Sequence, residues 1–237
     1  MTILFSCFGA TATCYVILDY FLGQPSQLPI TLAMAILKCT PIAILFIWLW
    51  ARNRHSKNQP FLLLAILLAS GTGDFFLALG AEYFVLGLGA FLLAQVGYAL
   101  RLSFDLRMPK RKKLFLWLGL SLAVLIMAGT VLPKTDDLLI PVSIYMLVIY
   151  LMGSMAVFRD SPKGRFSLLG AMTFIVSDSL IALNKFVVPI PAASILIMVT
   201  YYSAQWWLIQ GLAPTKLSPN PPAGGSTAPL EPAVPPR

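Results

Sequence analysis

PFLLLAILLASGTGDFFLALG, residues 60–80, decides the fold. These 21 residues carry a single charged side chain, Asp74. Wound as an α-helix they rise ~32 Å at ~1.5 Å per residue, enough to cross ~30 Å of hydrocarbon. Runs of the same kind recur near residues 2–22, 30–51, 84–101, 113–131, 138–158, 166–186 and 191–212, punctuated by charges, proline and glycine. The pattern predicts an all-α, polytopic integral membrane protein with eight transmembrane helices.

Composition agrees. Of the 237 residues, 58% are hydrophobic and 11% charged, and the mean hydropathy is +0.82. A soluble domain could not cover its surface with so few polar groups. The first run, from Met1 to Tyr20, lacks a basic leader and a small-residue cleavage site, so it reads as a span rather than a signal peptide. Residues 1–212 form the expected membrane domain. Residues 213–237 are rich in Pro, Gly and Ser without apolar periodicity, and read as a disordered cytoplasmic tail.

The net charge of +8 would suggest nucleic acid in a soluble protein, but here the basic residues cluster in short loops. Arg52, Arg54 and Lys57 fill one; Arg101, Arg107, Lys110, Arg111, Lys112 and Lys113 a second; Arg159, Lys163 and Arg165 a third. The alternate loops hold only Lys134 and the border residue Lys185, with the acids Glu82, Asp136 and Asp137. The positive-inside rule then places both termini in the cytoplasm, with membrane lipids rather than nucleic acid as the partner of the basic loops. Cys7, Cys14 and Cys39 all lie in apolar runs, and the one histidine, His55, lies in a basic loop. That excludes a zinc-site or disulfide pattern.

Two segments match: Gly73-Asp74-Phe75-Phe76-Leu77-Ala78-Leu79 and Ser177-Asp178-Ser179-Leu180-Ile181-Ala182-Leu183, followed by Ala94-Gln95 and Ala204-Gln205. The match suggests two four-helix halves in which Asp74 and Asp178 are equivalent.

Ionisable groups inside hydrocarbon cost several kcal/mol and therefore mark function. Asp19, beside Tyr20 at the outer edge of the first run, reads as an interfacial residue. Lys38 and Asp74 lie about fourteen residues from the basic edges and Asp178 about twelve, ~18 to 21 Å in at helical rise. The three are expected to converge at one depth. If all ionised, two carboxylates and one cation would leave a net negative charge, which favours one aspartate protonated beside an ionised partner. Such a pair suits general acid and base chemistry, although an ion-paired staple between helices is the competing structural reading. Ser70, Gly71 and Gly73 leave room beside Asp74 for a ligand or a closely packed helix. Lys185 shares the face of Asp178 at i+7, next to Asn184. Tyr201 and Gln205 share a face at i, i+4, and Gln95 and Tyr98 are i, i+3 neighbours. Gly71-Thr72-Gly73-Asp74 spells the G-x-G-D of intramembrane aspartyl proteases. The Tyr-Asp and Pro-Ala-Leu elements of that family are absent from the chain. Serine-histidine and zinc hydrolase motifs are absent too.

Leu37-Lys38-Cys39-Thr40-Pro41, Gly73-Asp74, Ile140-Pro141-Val142, the block from Ser177 to Phe186 and the block from Thr200 to Gln205 resemble the YhhN-type lysoplasmalogenases. The resemblance runs from about residue 5 to residue 212. It implies an eight-span hydrolase that cleaves the vinyl ether of lysoplasmalogen, giving a fatty aldehyde and glycerophosphoethanolamine or glycerophosphocholine. Its essential aspartates correspond to Asp74 and Asp178 and its span 2 lysine to Lys38. Lysoplasmalogen and water are then the substrates, no metal or organic cofactor is needed, and the membrane is the endoplasmic reticulum or a bacterial inner membrane. Asn184, Lys185, Tyr201, Gln205 and Gln95 complete the expected substrate-binding set with Lys38. One position departs: Gln95 stands where the family usually has histidine, and an amide cannot shuttle a proton. A proton-coupled or small-solute transporter built on the aspartate pair is the alternative from another class.

Overall fold

The computed structural model describes residues 2–22, 28–54, 60–107 and 111–214. His55, Lys57, Lys110 and the tail from residue 215 lie outside the described residues. Among the described residues the apolar runs fold into eight α-helices: α1 (Thr2–Leu22), α2 (Leu28–Asn53), α3 (Phe61–Leu79), α4 (Phe84–Ser103), α5 (Arg111–Val131), α6 (Leu139–Phe158), α7 (Gly164–Phe186) and α8 (Ala193–Leu212). Six of them, α2 to α7, are long and apolar enough to cross a membrane. The apolar part of α1 is shorter, Ser6–Leu22. Several helices overrun the apolar runs by a turn fraction, as at Gly164 in α7, because winding continues past the hydrocarbon edge.

The helices pack as neighbours along the chain, α3 between α2 and α4, and α7 against α8, while α4 also lies on α6 and α8 returns to α1 and α2. Among the glycines that leave no room for a Cβ, Gly73 and Gly170 lie between neighbouring helices. A Cβ on Gly73 would stand 2.6 Å from the Phe91 ring, and one on Gly170 would stand 2.6 Å from the backbone nitrogen of Leu208. The α3–α4 and α7–α8 pairs are therefore drawn together at backbone distance.

The exterior is apolar. Ile36, Leu68, Leu93, Ile126 and Ile140 are all exposed. Thr40, Thr72, Thr130 and Thr173 bond their hydroxyls to the carbonyl four residues back in their own helices. A hydroxyl facing lipid has no water to bond, so its own helix must satisfy it. A polytopic membrane protein results.

At the basic end, cations converge on the C-terminus of α8. Arg52 donates to the Pro214 carbonyl, Arg101 to Leu212, Lys163 to Ala213 and Arg159 to Gly211. The negative pole of the helix attracts them. Partial burial, with Arg52 and Arg159 nearby, holds Lys163 below the ordinary lysine range. Arg159 is itself buried. It pairs with Asp105 through two nitrogens at 3.1 and 2.9 Å and reaches the Ser167 hydroxyl.

Candidate active site

Asp74 and Asp178 sit in different hydrogen-bond networks. Asp74, on α3, is buried and accepts a bond from the Tyr201 hydroxyl of α8 at 2.7 Å. Tyr201 also accepts from Gln205 Nε2 at 3.3 Å, which donates to Ser70 Oγ at 3.0 Å. The Tyr98 hydroxyl of α4 closes the set by donating to Gln205 Oε1 at 2.5 Å. The ring of Tyr201 is fixed by edge contacts with Phe91 and Phe174, at centroid distances of 5.7 and 5.6 Å. The i, i+4 spacing of Tyr201 and Gln205 thus presents two linked polar groups to one buried acid.

Asp178, on α7, accepts a short hydrogen bond from the Tyr145 hydroxyl of α6 through Oδ2. Its Oδ1 has no protein partner among the described residues. Gln95 of α4 is fully buried, with both amide atoms lacking a hydrogen bond of ordinary geometry. Its amide lies beside Tyr145. Among the described residues, no hydrogen bond or ion pair joins the two aspartates, so the structure does not gather them into one dyad.

Lys38 follows Asp74. The two lie near one another, but among the described residues no ion pair joins them. In α2, Pro41 removes the amide that would bond to the Leu37 carbonyl, and the Tyr202 hydroxyl of α8 bonds the adjacent Lys38 carbonyl at 2.8 Å. The space beside Asp74 goes to helix packing. Phe91 fills the notch at Gly73, Ser70 binds Gln205, and the Gly71 carbonyl accepts the Cys39 thiol at 3.3 Å.

Two cavities open beside these networks. The first, about 300 Å³, is apolar and bounded by α4, α5, α6 and α7, with Val142, Tyr145, Met127, Ile175 and Phe91 in its wall. Its acid is Asp178. The second, about 530 Å³, lies at the end of the bundle away from the basic cluster and is lined by Tyr15, Asp19, Lys38, Asn184, Lys185 and Ser194 among others. Leu77, Phe84 and Ile181 belong to both walls. Lys185 does not reach down its helix face to Asp178 but stands over the Phe84 ring, 4.1 Å from its centroid. Asn184 binds the backbone amide of Ile190 at 2.8 Å and so shapes the turn into α8. Asp74 lines neither cavity.

Tyr145 was not among the residues that sequence singles out, whereas Tyr98 and Ser70 were noted only as neighbours of Gln95 and Asp74. The only signal for Tyr145 was its position: it closes the second turn of α6, after the Ile140-Pro141-Val142 segment.

Fold and site together define a polytopic, all-helical membrane protein in which Asp178 lines an apolar cavity and Asp19, Lys38 and Lys185 line a polar one. The chain belongs to the YhhN family, whose family model matches residues 32–212. Among its relatives, lysoplasmalogenase TMEM86B of Homo sapiens is 31% identical over 176 residues, 72% of this chain and 71% of that one. Lysoplasmalogenase TMEM86A of Bos taurus is 33% identical over 213 residues, 82% of each chain. A lysoplasmalogenase of Mycobacterium bovis is 32% identical over 157 residues, 63% of this chain and 59% of that one. No solved structure matches the chain.

Proposed function

We propose that this chain is a lysoplasmalogenase that hydrolyses the vinyl ether of a lysoplasmalogen to a fatty aldehyde and a glycerophospho alcohol. Family membership supports the reaction. The observation that carries the residue assignment is the shared wall of the two cavities at Leu77, Phe84 and Ile181, with Asp178 on the apolar side and Lys38 and Lys185 on the polar side. A lysolipid has the same division. Its alkenyl chain suits the first cavity, its phosphate suits the lysines, and its vinyl ether lies at the junction.

Asp178, protonated on the unpartnered Oδ1, delivers a proton to the alkene carbon one bond beyond the ether carbon. The ether carbon becomes an oxocarbenium ion beside the new carboxylate, which stabilises it and takes a proton from the attacking water. The resulting hemiacetal collapses with cleavage of the bond between that carbon and the glycerol oxygen: the reprotonated Asp178 gives its proton to the departing glycerol oxygen, and the hemiacetal hydroxyl returns one to the carboxylate as the aldehyde forms. Tyr145 donates to the carboxylate as it ionises. Asp74 acts at one remove, as anchor of Tyr201 behind the site. Gln95, Tyr201 and Gln205 then support the site from behind instead of touching the phosphate.

All eight helices cross the bilayer in this reading, α1 and α8 included. The alternation of basic loops puts both termini in the cytoplasm. The membrane is that of the endoplasmic reticulum or a bacterial cell, and the tail beyond residue 212 takes no part in catalysis.

Isotopes test the chemistry. Turnover in D2O must place deuterium on the carbon next to the aldehyde. In oxygen-18 water the glycerophospho product must remain unlabelled. Label in the glycerol oxygen, or cleavage of a saturated ether at a comparable rate, would refute protonation at carbon. Absence of aldehyde with every vinyl ether lipid would refute the hydrolase and favour transport.

A further inference from the structure

Sequence places Asp19 at the outer edge of α1, where an interfacial polar residue needs no function. The structure gives it a different setting. It lines the polar cavity together with Lys38 and Lys185. Its two oxygens accept one hydrogen bond each, Oδ1 from Tyr15 at 3.2 Å and Oδ2 from Ser194. A carboxylate has about four acceptor positions, so two remain for a ligand. These two bonds come from α1 itself and from the start of α8, and they fix the carboxylate in place.

None of the three charged side chains neutralises another. Among the described residues neither Lys38 nor Lys185 forms an ion pair, and Asp19 has no cationic partner. One wall therefore offers two positive charges and one negative charge to the same cavity. A simple phosphate would be repelled by the acid, and a simple amine by the lysines. A zwitterion that carries a phosphodiester and an ammonium a few bonds apart meets complementary charge at both ends.

We infer that Asp19 is the headgroup-selecting residue of the site: it binds the primary ammonium of a phosphoethanolamine lysolipid whose phosphate lies against Lys38 and Lys185. This rests on the lysoplasmalogenase reading for the kind of lipid, not for the charge pattern. A primary ammonium has three N–H donors for the open positions on Asp19, whereas a trimethylammonium has none. The site therefore favours ethanolamine over choline.

The test measures binding, with no turnover required. The full chain in detergent is titrated with a saturated 1-O-alkyl glycerophosphoethanolamine and with its N-acetyl derivative, which keeps the phosphate and lacks the ammonium. Wild-type protein should bind the free amine at least tenfold more tightly than the acetylated lipid. In Asp19→Asn that ratio should fall to within twofold of one, and Asp19→Glu should restore part of it. The wild-type comparison needs no variant, so it stands if Asp19→Asn does not fold. Equal binding of the two lipids by wild type, or equal loss of both in Asp19→Asn, would overturn the inference. Failure of the hydrolase reading is a separate outcome, seen as absence of aldehyde from vinyl ether lipids while the binding ratio persists.

Discussion

Tyr145→Phe removes one oxygen and leaves the ring, which is buried in the wall of the apolar cavity. The oxygen lost is the protein donor to Asp178. If Asp178 gives up its proton in the rate-limiting step, that bond is stronger in the transition state than before it, because its acceptor becomes an anion. A hydrogen bond to a charged group contributes ~1.5 to 3 kcal/mol, which corresponds to a roughly 10- to 150-fold fall in kcat. KM should change little, since the hydroxyl faces the acid and not the lipid headgroup. Tyr201→Phe is the matched control: it removes the donor to Asp74 at 2.7 Å and leaves Gln205 bonded to Ser70 and Tyr98. Because Asp74 lines neither cavity, this change should fall mainly on thermal stability, with kcat reduced less than tenfold. Aldehyde release coupled to a dehydrogenase gives kcat and KM for both variants, and a melting curve in detergent gives their stability. A Tyr145→Phe enzyme within threefold of wild type, or a larger kcat loss in Tyr201→Phe, would refute the assignment of the proton to Asp178.

Asp178→Asn should lower turnover at least a hundredfold in a folded protein, because the amide keeps the shape and loses the proton. Asp74→Asn should lower turnover less than Asp178→Asn does, because Asp74 lines neither cavity; an equal loss in kcat would move Asp74 into direct chemistry. Gly170→Ala should destabilise the protein by roughly 1 to 3 kcal/mol, seen as a lowered melting temperature, because the new methyl meets the Leu208 backbone, which cannot rotate away. Truncation after Thr215 should leave aldehyde release intact, and loss of activity would assign the tail a part in the site.

The helices were legible because their signal is length. An apolar run must match the bilayer, and the charges between runs mark where it ends, so the run near 166–186 reappears as Gly164–Phe186. Rotation about each helix axis was not legible. Counting along the helices puts Asp74 and Asp178 at similar positions, yet one turns toward Tyr201 of α8 and the other toward Tyr145 of α6, partners 127 and 33 residues away. Hydropathy without an amphipathic stripe cannot specify such facing, since lipid and protein neighbours are equally apolar. Arg159 shows the converse limit. It reads as one more loop cation, but its guanidinium is buried between Asp105, Ser167 and Gly211.

The clamp of cations on the carbonyls at and just past the end of α8 ties that end of the bundle together through four side chains. Splaying α8 from its neighbours there would break bonds to Arg52, Arg101, Arg159 and Lys163 together. At the other end the start of α8 follows Ala192, whose backbone is left-handed at φ 54°, and meets α1 around a cavity. A lysolipid that must enter and a product that must leave will find the least resistance there. Breathing of the bundle should therefore be a pivot about the basic cluster, with amide exchange slow near Leu212 and fast near Ser194.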